Sequence, residues 1–308
     1  MSLLRCLMGI DYVQLLAGCL RLGGQKMKNK SVAIIGAGWL GLPLAQHLQA
    51  QGAQVMVTAT SAEKTAQLAK RGLNSVCYQA SANSMRRDDD QAAKKIFSCQ
   101  VVIICIPPKI RHGLTNYPEL IKDIVVNAEA PGSQVQQLIL CSSTAVYNGL
   151  SGEVDETCQL NLSTDKTAIL AAAEQQVLTS KVSKSQVVRL GGLIGPERHP
   201  GRFFSEDRLI TNPESPINFV HRDDVIAALA YLIKHQHTLA AATVNVVAPG
   251  HPQRRQFYQR AHAVLERNPP QFSVQQDIDG KLVKPTVLLD QGFQFHHPDL
   301  LAWLENSG

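Results

Sequence analysis

The sequence predicts an α/β fold built on a doubly wound parallel sheet, and three observations carry the prediction. From Val32 onward, short β-branched apolar runs alternate with longer amphipathic stretches, the rhythm of strand-helix-strand units. Two runs, VVIICI at 101–106 and QLILCSS at 137–143, are apolar nearly throughout, as strands covered on both faces must be. Between the first apolar run and the first helical pattern stands a glycine-rich turn, Gly36-Ala37-Gly38-Trp39-Leu40-Gly41.

In chain order, SVAII gives a first strand near 32–36 and LGLPLAQHLQAQG a first helix near 39–51, ended by Gly52. The GxGxxG spacing between them suits a dinucleotide. Gly36 permits the tight turn, Gly38 lets the backbone approach a pyrophosphate, and Gly41 lets the helix lie close to the sheet with its N-terminus toward the phosphates. A tight strand-to-helix turn without a ligand is the plainer alternative. Further strands are expected near 54–58, 74–78, 100–106, 135–142, 185–190 and 243–247, and helices near 61–71, 113–127, 165–180, 222–236 and 253–266.

After about Gly191 the rhythm loosens. Residues 192–218 carry Pro196, Pro200, Pro213 and Pro216, and 268–298 are again rich in Pro, Gly and His. Such segments cover the carboxyl ends of the strands, where ligands of open α/β sheets bind. The organisation expected is a loosely ordered extension over 1–26, an NAD(P)-binding Rossmann domain over 27–191, and a mixed segment over 192–308. That last segment returns a strand and helices to the sheet and forms a small C-terminal substrate lobe.

Composition narrows the class. A chain of 308 residues, 44% hydrophobic and 18% charged, buries a full core. Its formal charge of +5 is spread along the chain without a basic stripe, so nucleic acid is not an expected partner. The apolar stretch Tyr12 to Leu20 is too short for a bilayer span and lacks a small-residue cleavage site, so no membrane is expected either. Seven cysteines without a CxxC pair suit buried thiols in a reducing cytoplasm, and no metal site is expected.

Cofactor choice turns on the end of the second strand. NAD binders place a carboxylate there, about 20 residues after the glycine turn, for the ribose 2′-hydroxyl. This chain has Val57-Thr58-Ala59-Thr60-Ser61 instead. Thr60 and Ser61 can donate to a phosphate and Lys64 lies one turn into the next helix, so NADP is expected rather than NAD. Glu63 opposes this mildly, and Ser61 serves equally well as a plain helix cap. After the fourth strand, ICIPPKIRHG makes Pro107-Pro108 a stiff exit from the ladder, with Pro107 beside the cofactor. Lys109, Arg111 and His112 are either ligand contacts or solvated loop residues.

At LCSSTAVYN (140–148) the chain resembles the extended, epimerase-like short-chain dehydrogenase/reductases, which carry an SSxxVYG signature on the fifth strand. VVRLGGLIGPERHPGRFF (187–204) is similar to that family's sixth strand and substrate loop, and INFVHRDDVIAAL (217–229) to its hxHxxDV segment. GWLG together with RHPGRFF resembles an atypical, YeeZ-like subgroup. The likeness covers most of 31–250 and implies a catalytic serine, Ser143, that polarises a substrate carbonyl.

One departure matters. The family's reaction rests on YxxxK at the start of the next helix, but CQLNLSTDKTAILAAAEQQV (158–177) holds no tyrosine. The tyrosine's place falls near Thr164 or Asp165, and the lysine's near Ala168 or Ile169. None of these replaces a phenol with a lowered pKa or an ammonium. Tyr147 and Lys166 are the candidates for the vacant role, and their plain alternatives are a packed tyrosine and a surface lysine. Arg198, His199 and Arg202, in the loop that resembles the substrate segment, are either receptors for an anionic substrate or solvated. His221 with Asp223 and Asp224 reads as a helix cap and charge pair rather than a metal cluster, and His296 and His297 as loop residues.

These features predict an NADP-dependent oxidoreductase on a small carbonyl, hydroxyl or sugar-nucleotide substrate, with a non-catalytic NADP-binding sensor as the alternative. The alanine-rich face of AILAAAEQQVL (168–178) allows close helix approach, and the resemblance implies a homodimer through it.

Overall fold

The computed structural model describes residues 27–82, 91–204, 208–274 and 280–307. The expected N-terminal extension, residues 1–26, and the side chain of Arg111 lie outside the described residues.

The chain opens with β1 (Ser31–Ile35), α1 (Gly41–Ala50), β2 (Gln54–Ala59), α2 (Ala62–Lys70) and β3 (Asn74–Cys77). It continues through α3 (Gln91–Phe97), β4 (Val101–Ile104), α4 (Tyr117–Ala128) and β5 (Gln137–Ser143). After β6 (Gly152–Val154) come α5 (Asp165–Leu178), β7 (Lys184–Leu190), β8 (Gly192–Ile194), β9 (Phe219–His221), α6 (Arg222–Lys234) and β10 (Thr243–Val246). The C-terminal part holds α7 (Arg254–Val264), β11 (Lys281–Val283), α8 (Thr286–Asp290) and α9 (Leu300–Glu305).

Seven strands form one parallel sheet in the order β10-β7-β5-β4-β1-β2-β3. All seven were expected within a few residues of their observed bounds. The order reverses between β1 and β4, which opens a crevice at the carboxyl ends of those two strands. β1 shows why its composition demands two covers. Val32 and Ile34 belong to the core beneath α1 and α6, while Ala33 and Ile35 belong to the core beneath α3, α4 and α5. Val32, Ile34 and Ile35, each fully buried, contribute about 1.5–3 kcal/mol apiece.

The helices fit by the same logic. α1 buries Gly41, Leu44, Ala45 and Leu48, one stripe at helical spacing, and its Pro43 sits in the first turn, where no amide is missed. α5 buries Thr167, Leu170, Ala173, Glu174 and Val177. The last of the main strands and α6 come from beyond residue 191, so the C-terminal segment completes the sheet before it builds the lobe. Ile194, Ile217, Phe257, Tyr258, Leu300 and Leu304 form that lobe's own core. Two short parallel pairs, β8 with β9 and β6 with β11, attach it to the strand ends.

Among the described residues, α3, α8, α9 and the three-residue strands β6, β8, β9 and β11 were not expected from the sequence. Each spans two turns or fewer, or three residues, too little for an apolar period to show.

Candidate cofactor and substrate cleft

The glycine turn lies at the switch point, where three glycines meet three different demands. Gly36 has φ +107°, a left-handed conformation that side chains rarely adopt. A Cβ on Gly41 would stand 2.1 Å from the Gly36 carbonyl oxygen, so only hydrogen fits. A Cβ on Gly38 would meet nothing among the described residues within 4 Å. Behind that open space α1 begins at Leu40 with no side-chain cap and no acidic residue in its first turn. An anion fits an uncapped helix N-terminus with an open glycine before it. Thr58, which sequence reasoning passed over, fastens the turn: its Oγ1 accepts from Gly36 N at 3.0 Å and its carbonyl from Ala37 N at 3.0 Å.

Beyond β2, Thr60, Ser61 and Lys64 are all exposed. Ser61 Oγ accepts from the Lys64 amide at 3.3 Å and so caps α2. The cap uses an oxygen lone pair and leaves the hydroxyl proton to a ligand. Pro107 is exposed just past β4, on the opposite wall of the crevice.

Ser143 ends β5 and its Oγ accepts from Ala145 N at 3.1 Å, opening a 3₁₀ turn over Thr144–Tyr147. Tyr147 turns inward. Its ring is fully buried, and its hydroxyl accepts from Arg189 Nη1 at 2.8 Å and donates to Asn245 Oδ1 at 3.0 Å. Burial pushes the phenol above its usual range. Arg189 in turn pairs with Glu174 at 2.6 Å, and Ser142 Oγ donates to the same carboxylate at 2.5 Å. This buried network underlies the strand ends. Two irregularities in the sequence mark it: Arg189 inside the run VVRL, and Glu174 on the apolar stripe of an alanine-rich helix.

The place of the missing YxxxK pair is taken by a capping box. Thr164 Oγ1 accepts from Thr167 N at 3.2 Å and the Thr167 hydroxyl serves the Thr164 backbone in return. Lys166 stands on this first turn, facing the half-buried Lys281 of β11, whose ammonium donates to Asn148 Oδ1 at 2.5 Å. Sequence reasoning missed Lys281, because nothing local connects residue 281 with residue 148.

The loop after β8 closes back onto the glycine turn. Trp39 Nε1 donates to the Pro196 carbonyl at 2.9 Å, and the guanidinium groups of Arg198 and Arg222 lie 5.5 and 5.1 Å from its ring centre. Arg198 and Arg202 are exposed on this loop, whereas His199 is not. His199 accepts from Gly201 N at 3.1 Å and contacts Ser307 Oγ at 3.0 Å, so both ring nitrogens are engaged inside the lobe.

His221 caps α6 by accepting from Asp223 N at 3.2 Å, and Asp224 accepts the amides of His296 and His297 at 2.5 and 3.1 Å. Burial, then the neighbouring His297, bring His221 down to about 4, so its ring is neutral near pH 7. Ligand atoms of His221, Asp223 and His297 come within 4.8 Å of one another, and the His221 Nδ1 lone pair serves the helix cap.

A parallel sheet reversed at β1/β4, with an open glycine over a bare helix N-terminus at the switch point, defines a Rossmann-type protein. Comparison with known proteins agrees. Residues 31–131 match the family model described as NADP oxidoreductase, coenzyme F420-dependent. Protein YeeZ of Escherichia coli K12 is 32% identical over 277 residues, 89% of this chain and 98% of that protein. Human epimerase family protein SDR39U1, solved with NADPH, superposes with a TM-score of 0.68 at 19% identity, covering 90% of this chain and 98% of the other. UDP-glucuronic acid 4-epimerase from Bacillus cereus, solved with NAD, gives 0.69 at 15% identity over 89% and 96% of the two chains. The chain belongs to the YeeZ family, and its fold is shared with epimerase-like Rossmann proteins. No helix among the described residues is long and apolar enough to cross a membrane.

Proposed function

We propose that this chain binds NADP(H) at the glycine turn and works as an NADP-dependent oxidoreductase on a small carbonyl, hydroxyl or sugar-nucleotide substrate. The open space over Gly38, at the uncapped start of α1, is the observation that carries the proposal. The backbone of Gly38, Trp39, Leu40 and Gly41 would hold the pyrophosphate, and Pro107 would line the far wall. Thr60, Ser61 and Lys64 would receive a 2′-phosphate, since no carboxylate stands at the end of β2 to claim a bare hydroxyl. A nicotinamide bound there supplies hydride chemistry. Ser143, whose cap leaves its proton available, would polarise the substrate oxygen, and Arg198 and Arg202 would receive an anionic substrate group.

Nicotinamide fluorescence, titrated with NADPH and NADH on the wild type and on Gly38→Val, tests this reading. Tighter NADPH binding, lost in the variant, is the expected result; equal affinity for both cofactors would refute the NADP assignment, and no binding at all would refute the site.

The second reading, a non-catalytic NADP sensor, draws on the Thr164–Thr167 capping box that occupies the place of the proton-transfer pair. NADPH binding without cofactor oxidation across a panel of aldehydes, ketones and nucleotide sugars would decide for it.

A further inference from the structure

We propose that Lys281, delivered from the C-terminal lobe, is the proton-carrying amine of the cleft and fills the role left by the absent tyrosine-lysine pair. The proposal rests on the oxidoreductase reading above.

Three sets of contacts bring Lys281 to the strand ends. The 3₁₀ turn that starts at Ser143 finishes at Asn148, and Asn148 Oδ1 holds the Lys281 ammonium at 2.5 Å. One short turn of chain thus joins Ser143 to the amide that holds Lys281. On the other side, Asn218 Nδ2 donates to the Lys281 carbonyl at 2.9 Å and Asn218 Oδ1 accepts from Val283 N at 2.7 Å. The Asn218 carbonyl itself accepts from Gly192 N at 2.8 Å. The strand β11 is therefore tied both to the end of β5 and to the segment that leaves β7. Its pairing with β6, Lys281 opposite Gly152, fixes the register.

The chemistry of the position suits an amine that changes charge. The partner of the ammonium is a neutral amide. Of the charged groups on the elements packed about it, Lys166 from α5 opposes the positive charge, while Glu153 on β6 is paired with Lys284 at 2.5 Å. Burial first, and Lys166 second, bring Lys281 down to about 8. In reduction, the ammonium gives one proton to the carbonyl oxygen of the substrate and becomes a neutral amine. A reduced nicotinamide bound in the crevice would supply the hydride to the carbonyl carbon, and the amine regains a proton from water. A lysine at this depth is suited to that exchange near neutral pH, where a surface lysine is not.

Trace acetylation with acetic anhydride over a pH series, read by peptide mass spectrometry with and without NADP+, tests the assignment without a known substrate. Lys281→Gln identifies the labelled peptide, and NADPH fluorescence in the same preparation reports cofactor binding. The expected results are half-titration of Lys281 near 8, an upward shift in Lys166→Gln, and slower acetylation when NADP+ is bound. Titration at the ordinary lysine value, or an acetylation rate indifferent to NADP+ in protein that binds NADPH, overturns the proposal. Protein that binds no NADPH overturns the cofactor site itself, and the proposal with it.

Discussion

At Gly38 and Gly41 the same residue type answers two unlike requirements, so substitution should separate them. Gly38→Val places its side chain in open space at an ordinary backbone conformation, and is expected to leave thermal stability nearly unchanged while abolishing NADPH binding. Gly41→Ala drives a methyl against the Gly36 carbonyl and is expected to lower the melting temperature directly. A Gly38→Val protein that melts like Gly41→Ala would mean that the open space is part of the fold. His221 makes a prediction about acid. Its folded pKa of about 4 lies below the ordinary 6.5, so the unfolded chain takes up a proton that the folded chain does not. Its contribution to stability is complete above 6.5 and is lost as pH falls toward 4. His221→Asn keeps a cap for α6 and should flatten that part of the denaturation profile; an unchanged acid limb would contradict the assignment.

At the scale of elements, α5 and β7 are joined through Glu174 and Arg189, with 2% and 7% side-chain exposure. Breaking a buried pair leaves a charge without its partner, so Glu174→Gln is expected to cost about 3–5 kcal/mol in urea denaturation. Because Tyr147 and Ser142 share the network, Ser143 should lose its setting as well. The start of α5 predicts a smaller effect. Thr164→Ala removes one half of the capping box and should cost about 0.5–2 kcal/mol, with no change in NADPH affinity. Loss of affinity there would place Thr164 in the cofactor site. The long elements were legible because their periods run over several turns or over wholly apolar strands, as at VVIICI and AQHLQA. What escaped were contacts across the chain: Thr58 to the glycine turn, Lys281 to Asn148, and Trp39 to Pro196. Their partners are 22, 133 and 157 positions away, and no local pattern encodes them. Tyr147 and His199 show the converse. Motif position marked them as candidates for the ligand side, but burial turned both inward, where their polar atoms find partners in the protein.

For the whole molecule, binding and stability are linked. A ligand that occupies the folded cleft alone adds about 2.7 kcal/mol at one hundred times its dissociation constant. NADPH should therefore raise the melting temperature of the wild type and leave that of Gly38→Val where it was; equal shifts in both would point to a site elsewhere. The lobe shares in this stabilisation, since β10 and α6, which complete the sheet, come from the same segment that carries β11 and Lys281.

The indole of Trp39 gives the two halves of the cleft a common latch. It belongs to the glycine turn by sequence, yet its Nε1 holds the Pro196 carbonyl, and two guanidinium groups, one on the same loop and one at the start of α6, lie against its ring. Under the proposed function a dinucleotide held at the glycine turn would sit beside this latched loop, which carries Arg198 and Arg202. Departure should then follow an order, with product first and nucleotide second, and Trp39→Ala should make that order random. Product-inhibition patterns for wild type and variant would read it directly, once a turnover partner is in hand.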